Sequence, residues 1–319
     1  MMLATMDDGS PDGRLVLVSA DHARFLPGPV ATLQQLLESW DAHGDAIAQA
    51  SLRLAAGDGE PLASEQLIAP LPRAWQWLDG SAFASHGALM QRAFKMSPIE
   101  TVLPLMYQGM SHQFLSWRED VPLPSEAHGI DFEGEFGVIT DAVPMGVSSD
   151  DAMGHIKLVV QINDWSLRTF AASEMKTGFG WIQAKPACSV APIAVTPDVL
   201  GAAWQDGRVC LPLNVEWNGE PFGRPNGREM GFGFHELIAH AALTRSLPAG
   251  TIVGSGTVSN DDYTTAGSTC VSERRGIEMI EHGAPKTEFL RFSDRIRMEA
   301  VGLERQPLFG VLDQQVVKA

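Results

Sequence analysis

The stretch from Gly129 to Ile139, Gly-Ile-Asp-Phe-Glu-Gly-Glu-Phe-Gly-Val-Ile, constrains this chain more than any other. At the two-residue period of a β-strand it places Glu133, Glu135 and Gly137 on one face and Phe132, Phe136 and Val138 on the other. Two carboxylates side by side on an otherwise apolar strand repel, and burial raises that cost unless a cation lies between them. A second strand-like run, Ile156 to Ile162, leads into Asn163-Asp164-Trp165-Ser166 and delivers a third carboxylate at a strand end. Three oxygen-donor acids suit a hard divalent cation: Mg²⁺ first, with Mn²⁺ or Ca²⁺ as alternatives. On spacing alone, a solvated edge strand carrying unrelated acids fits as well.

With 319 residues, 45% hydrophobic and 19% charged, the chain has the balance of a soluble globular protein with one large domain, or one plus a small partner. A net charge of -16 argues against nucleic acid or an anionic membrane as partner, although a bound metal can reverse the local field. Cys188, Cys210 and Cys270 are odd in number and include no Cys-x-x-Cys pair, so buried thiols in a reducing compartment are expected rather than a disulfide framework. The opening Met1-Met-Leu-Ala-Thr-Met-Asp-Asp has neither a basic region nor an apolar core. No stretch approaches the ~18 apolar residues that span a bilayer. A cytoplasmic location is the expectation.

Residues 1–75 read as a small β-rich module. Met2–Met6 and Arg14–Ser19 flank a turn over Asp8–Gly13, and a helical pattern runs from Ala31 to Ala55 with Leu33, Leu36, Leu37 and Trp40 on one face. Leu67-Ile-Ala-Pro-Leu-Pro72 is an extended connector and marks the boundary. Beyond it, a helix is expected around His86 to Phe94, a loop from Leu103 to His112, and a mobile loop from Phe170 to Trp181. Asn218-Gly219, between alternating runs, signals a hairpin. Helix is expected over Phe234–Leu243, a strand running into a Gly-rich turn over Thr251–Ser259, and strands over Phe289–Glu299 and Leu308–Asp313.

Taken together, Glu133-Gly-Glu135 and Asn163-Asp-Trp-Ser-Leu-Arg168 resemble the fumarylacetoacetate hydrolase family, and the likeness extends over Pro104 to Gln315. The resemblance implies an α+β, β-rich fold: a mixed β-sandwich roll as the catalytic domain over residues 76–319, with residues 1–75 as an N-terminal accessory domain. It implies a metal held by Glu133, Glu135 and Asp164, and commonly a homodimer. The implied reaction is hydrolysis of a carbon–carbon bond in a 1,3-diketo acid, most simply fumarylacetoacetate to fumarate and acetoacetate in aromatic amino-acid breakdown. Acylpyruvate hydrolysis and oxaloacetate decarboxylation are the alternatives at the same metal site, and a non-catalytic binding module is a third reading.

The remaining site residues follow from the same resemblance. His112 stands shortly after Tyr107, as the family's catalytic His follows a substrate-contacting Tyr, and an unperturbed His titrates near 6.5. The acid that orients that His aligns nearest Val271, so Glu273 is the substitute, if it does not simply pair with Arg274 or Arg275. Leu105 stands where animal enzymes have a fourth metal carboxylate. Arg168 matches the arginine that grips the substrate carboxylate; a salt bridge to a metal ligand is its other reading. Lys185 corresponds to the lysine near the oxyanion, and Thr257 of Ser255-Gly256-Thr257 to a substrate-binding threonine. Two further motifs fail. His235 and His240 would point roughly 140° apart on a helix, unlike a zinc pair at i and i+4. Gly254-Ser-Gly256-Thr-Val-Ser259 lacks the last glycine of a dinucleotide fingerprint.

Overall fold

A computed structural model describes residues 1–95, 97 and 102–319. The chain opens with a meander of β1 (Met2–Met6), β2 (Arg14–Val18) and β3 (Arg24–Pro27). Two helices follow where one was expected, α1 (Leu33–Glu38) and α2 (Trp40–Ala55). The break falls at Ser39, whose hydroxyl donates to the Gln35 carbonyl. Past the connector come β4 (Gln76–Gly80), α3 (Ala84–Phe94), β5 (Met106–Gly109) and β6 (Val121–Leu123). The stretch read as a loop before His112 is thus partly strand. Pairing with β4, which sets Asp79 opposite Tyr107, overrides the weak strand preference of Gln108-Gly109.

The segment Gly129–Ile139 forms β7 (Ile130–Asp131) and β8 (Gly134–Thr140), broken at Phe132-Glu133. β9 (Ile156–Asn163) returns beside β8. Next is α4 (Arg168–Thr177), which corrects the expected mobile loop: most of Phe170 to Trp181 is helical, closed by Gly178 at φ 73°. The rest comprises β10 (Ile193–Val195), β11 (Asn214–Trp217), β12 (Glu220–Gly223), α5 (Phe234–Ala241), β13 (Thr251–Gly254), α6 (Val271–His282), β14 (Arg295–Glu299) and β15 (Leu312–Lys318). The β11–β12 turn carries Asn218 and Gly219 at φ 53° and 83°, the left-handed pair that a two-residue hairpin needs.

Among the described residues, twelve strands form one sheet whose main path runs from the edge strand Glu60–Pro61 through β3-β2-β1-β10-β9-β8-β13-β4-β5. A five-stranded sheet runs β12-β11-β14-β15-β6. The long sheet is buried on both faces, which explains its continuous apolar runs. Ala4, Val16, Val138 and Val159 face a core shared with Val215, Ile296, Met298 and Val316 of the second sheet. Leu3, Leu17, Ile139, Leu158 and Val160 face the other way, against Leu33, Leu36 and Leu37 of α1 and Ile47 of α2. Buried Gln161 ties the sheets together: its Nε2 donates to the Met298 carbonyl and its Oε1 accepts from Ala300 N. The fold is strand-rich α+β, as the sequence implied. Among the described residues no helix is long and apolar enough to cross a membrane.

Candidate active site

The site is built where β8 and β9 meet. Gly134 lies opposite Asn163. Just beyond that pair, Asp164 N donates to the Glu133 carbonyl at 2.9 Å, and Asn163 Oδ1 accepts from Glu133 N at 3.1 Å. Two carboxylates are therefore fixed side by side by main-chain hydrogen bonds, with Glu135 two residues further in. A fourth acid enters from β4. The parallel register of β4 and β13 sets Asp79 beside Gly254, and a Cβ on Gly254 would lie 2.4 Å from Asp79 Oδ1 and 2.3 Å from the Trp77 ring. Only glycine leaves that space. Asp79 is 3% exposed, and Glu135 and Asp164 are fully buried.

Two cations are threaded among the acids. Lys185 Nζ donates to Glu133 Oε2 at 2.7 Å, to Asp164 Oδ2 at 2.6 Å and to Ser166 Oγ at 2.8 Å. Arg168 spans Asp131 and Glu133, donating from Nε to Asp131 Oδ2 at 2.7 Å and from a terminal nitrogen to Glu133 Oε1 at 2.6 Å. Asp131 is itself fixed by the backbone N–H groups of Phe132, Val271 and Ser272, the last two at the start of α6. Tyr107 donates its hydroxyl to Asp164 Oδ2 at 2.7 Å, its ring edge-on to Trp181, and the Cys188 thiol donates to Asp164 Oδ1 at 2.9 Å.

These surroundings drive the acids in opposite directions. Burial disfavours ionised Glu133, but the Lys185 and Arg168 charges outweigh it and hold the carboxyl well below the usual range. Glu135 is pushed up, by burial first and then by Asp79, Asp164 and Glu133; Asp79 is pushed up by burial and by Asp164. Both oxygens of Glu135 are buried without a hydrogen-bond donor. The carboxyls of Asp79 and Glu135 lie close enough to share a proton, but as ionised groups neither can donate to the other. One carboxylate oxygen each from Asp79, Glu135 and Asp164 falls within 4.8 Å of the others. A buried cluster of hard oxygens of this span, with both Glu135 oxygens lacking a donor, fits a divalent cation.

A second polar cluster adjoins the first. Glu273, fully buried, accepts from Ser259 Oγ at 2.5 Å and Ser268 Oγ at 2.9 Å; His86 Nδ1 approaches it at 3.6 Å and makes no hydrogen bond. Glu273 lies on helix α6, and Arg274 and Arg275 turn away from it to the carbonyls of Phe222 and Thr287. The Cys270 thiol, near the same group, is pushed up by burial and by Asp131, so it stays a neutral thiol rather than a thiolate ligand.

Of the residues singled out in the sequence, Glu133, Glu135, Asp164, Lys185, Arg168 and Tyr107 converge on one cluster. Thr257 is buried, next to Gly256, whose N–H donates to Asp79 Oδ1 at 3.2 Å. His112 does not join: it is exposed beyond β5, and among the described residues no hydrogen bond or ion pair links it to the acids or to Glu273. Arg168, expected on the substrate, has its guanidinium engaged by two protein carboxylates. Sequence reasoning missed Asp79, Asp131 and His86. Asp131 continues the alternation of Glu133 and Glu135, and Asp79 is the lone acid in the apolar Trp77-Leu78-Asp79-Gly80, so both left a trace.

Residues 76–317 match the family model for the fumarylacetoacetate (FAA) hydrolase C-terminal region, and residues 1–73 match fumarylacetoacetase N-terminal domain 2. The chain is 29% identical over 163 residues to a 2,4-didehydro-3-deoxy-L-rhamnonate hydrolase of Sphingomonas sp., covering 50% of this chain and 54% of the relative. It is 30% identical over 178 residues to a fumarylacetoacetase of Aspergillus fumigatus, covering 46% and 41%, and 24% identical over 157 residues to a mitochondrial oxaloacetate tautomerase of Rattus norvegicus, covering 48% of each. The chain spans about half the length of these curated relatives. Among solved structures, the maleylpyruvate hydrolase of Sphingobium sp. SYK-6 with manganese(II) and pyruvate aligns at a TM-score of 0.65 with 17% identity over 100% of both chains. The fumarylacetoacetate hydrolase of Exiguobacterium antarcticum aligns at 0.66 with 17% identity, over 100% of this chain and 99% of that one.

Proposed function

Because the chain belongs to the fumarylacetoacetate hydrolase family, we propose that it is a divalent-metal-dependent hydrolase that cleaves a carbon–carbon bond in a 1,3-diketo acid, most simply fumarylacetoacetate to fumarate and acetoacetate. The observation that carries this reading is the Glu135 carboxylate, buried without a donor beside Asp164 and two residues from Glu133. Those three acids would hold the cation, with Mg²⁺ the first choice and Mn²⁺ or Ca²⁺ the alternatives. When bound, it would polarise the carbonyl under attack and stabilise the departing enolate.

The chain's own groups supply the rest. Lys185, aimed by Glu133, Asp164 and Ser166, is placed to donate to an oxygen that gains negative charge. Arg168 acts behind Glu133, holding that carboxylate ionised. Tyr107 and Thr257 border the acids and would contact the substrate. For water activation the geometry favours His86 over His112. His86 keeps a free Nδ1 at 3.6 Å from Glu273, its side chain is 18% exposed, and Glu273 is held ready by two serine hydroxyls. In this scheme water gives a proton to His86 and its oxygen bonds the carbonyl carbon. The adjacent carbon–carbon bond then breaks, its electron pair goes to the leaving carbon, and that carbon takes the proton back from His86. Glu273 stabilises the imidazolium in between. We further propose a cytoplasmic homodimer that needs no nucleic acid or membrane, to be checked by light scattering on the purified chain.

The test is a metal-supplemented assay of wild type, His86→Ala and His112→Ala, with fumarylacetoacetate, an acylpyruvate and oxaloacetate in parallel. His86→Ala should lose about 10²–10⁴-fold in kcat on the diketo acid, the contribution of a positioned base, and His112→Ala should stay near wild type. Loss in His112→Ala with His86→Ala intact would reverse the assignment. Turnover of oxaloacetate alone would move the protein to a different reaction on the same site.

A further inference from the structure

We propose that the site selects diketo acids whose far end, away from the reacting carbonyls, is apolar and uncharged: an acyl group ending in an alkyl or aryl carbon rather than in a second carboxylate. This rests on the diketo-acid reading above and narrows its substrate, because fumarylacetoacetate carries a carboxylate at each end. The first observation is where the positive charge goes. The two cations that reach the acids are committed to the protein, Arg168 to Asp131 and Glu133, and Lys185 to Glu133 and Asp164. A second carboxylate brought in beside them would lose water without gaining a cation, and an unpaired charge out of water is costly.

The second observation is what borders the acids instead. Tyr107 donates to Asp164, and its ring centroid lies 6.2 Å from that of Trp181, edge-on, and 5.6 Å from Lys185 Nζ. The ladder of β4 and β5 continues one bond further, Ser81 N donating to the Leu105 carbonyl, so Leu105 keeps to the Tyr107 side at the two-residue period. On α4 the face that begins at Arg168 turns apolar. At about 100° per residue, Ala171 lies within about 60° of Arg168 and Met175 within about 20°, whereas Lys176 turns about 100° away from Met175. The Glu174 carboxylate, accepting from Ile182 N, folds the following turn back toward Met175. Met175, Phe179 and Ile182 are all exposed there, Phe179 by 96%, with Phe179 and Ile182 on either side of Trp181 in the chain. Apolar side chains left open beside a polar site gain by covering an apolar group and offer nothing to a charged one.

The test compares acylpyruvates that share one head and differ at the far end, crotonyl, cinnamoyl and fumaryl, with Mn²⁺-supplemented protein. The crotonyl and fumaryl compounds differ only in a terminal methyl against a carboxylate. Wild type should favour both apolar compounds over the fumaryl one by at least about tenfold in kcat/KM, the scale on which a hydrophobic pocket discriminates. Met175→Arg should reverse that order, and Lys176→Ala should leave it unchanged. Each ratio is taken within one preparation, so it does not depend on how much of a variant folds. Equal or better turnover of the fumaryl compound by wild type, or selective loss of that turnover in Lys176→Ala, would overturn the apolar assignment and leave the diketo-acid reading standing. Silence toward all three compounds and toward fumarylacetoacetate would sink both. Light scattering of Met175→Arg completes the test: a changed oligomeric mass with the substrate order unaltered would give the exposed apolar rim to a second copy of the chain instead.

Discussion

At the scale of single residues, the acids of this site respond oppositely to pH. Glu133 is held ionised by Lys185 and Arg168 against the cost of burial, whereas Asp79 and Glu135 are pushed toward the neutral form by burial and by the neighbouring Asp164 charge. For an acid with a raised folded pKa, the folded state binds more protons than the unfolded one between the two values, so stability falls as pH rises through that window. Glu133 has the reverse sign: its contribution is complete above the unfolded carboxylate value, about 4.3, and is lost as pH falls through its depressed folded value. Above the unfolded carboxylate value Glu133 is therefore silent, and Asp79 and Glu135, both raised, make stability fall as pH rises. Metal-free protein, prepared with chelator, should unfold at a lower temperature at pH 8 than at pH 6. Saturating Mn²⁺ should flatten or invert the slope, because the ion takes the place of the shared proton. A metal-free midpoint that climbs from pH 6 to 8 would contradict the buried, unpaired state assigned to the two acids.

At the scale of elements, α4 and the turn after it decide where Lys185 points. Gly178 ends the helix in the left-handed conformation, and the chain folds back so that the Glu174 carboxylate accepts from the backbone N–H groups of Ile182, Gln183 and Ala184. Ala184 then pairs with Leu167, leaving Lys185 one residue on, over the acids. Glu174→Ala should speed amide exchange at residues 182–184 by roughly tenfold or more, since three bonds to a charged acceptor are lost. It should lower kcat/KM while exchange in β8 stays as it was; unchanged exchange at 182–184 would remove the clasp from the account. This element also marks how far the sequence could be read. The strands of the long sheet, the Asn218-Gly219 hairpin and the carboxylates at Glu133, Glu135 and Asp164 were legible, because each depends on local period or turn chemistry. The clasp was not, since its glycines read equally well as hinges. His86 with Glu273 and Asp79 with Glu135 were hidden for another reason. Their meeting depends on α3 packing against α6 and on β4 pairing in parallel with β13, contacts across most of the chain that no local pattern records.

At the scale of the molecule, the N-terminal module is built into the same sheet as the site. Met2, Leu3 and Ala4 of β1 pair with Val195, Ala194 and Ile193 of β10, and β10 pairs in turn with β9, whose end delivers Asp164. On the face away from the second sheet, Leu33, Leu36 and Leu37 of α1 cover Leu158, Val160 and Ile162 of β9 and Ile252 of β13. Outside that shared core, Arg73 at the end of the connector clasps Asp12 through two hydrogen bonds of 2.7 and 2.8 Å. These links differ in weight. The Asp12–Arg73 pair is half exposed, and such pairs contribute little, so Asp12→Asn should leave the thermal midpoint nearly unchanged. Removing residues 1–73, the extent of the N-terminal family match, is another matter. It would strip a row of backbone donors and acceptors from the β10 edge and uncover the leucine, valine and isoleucine side chains beneath α1, an open edge beside an apolar face. The shortened chain should therefore aggregate or bind a hydrophobic dye strongly, and should lose Mn²⁺ binding even though every proposed ligand remains. A monodisperse truncated chain with wild-type Mn²⁺ affinity would show that the site's geometry is held within residues 74–319 alone. The expected failure would instead mean that the metal-binding carboxylates are positioned by a sheet that the first strand helps to complete.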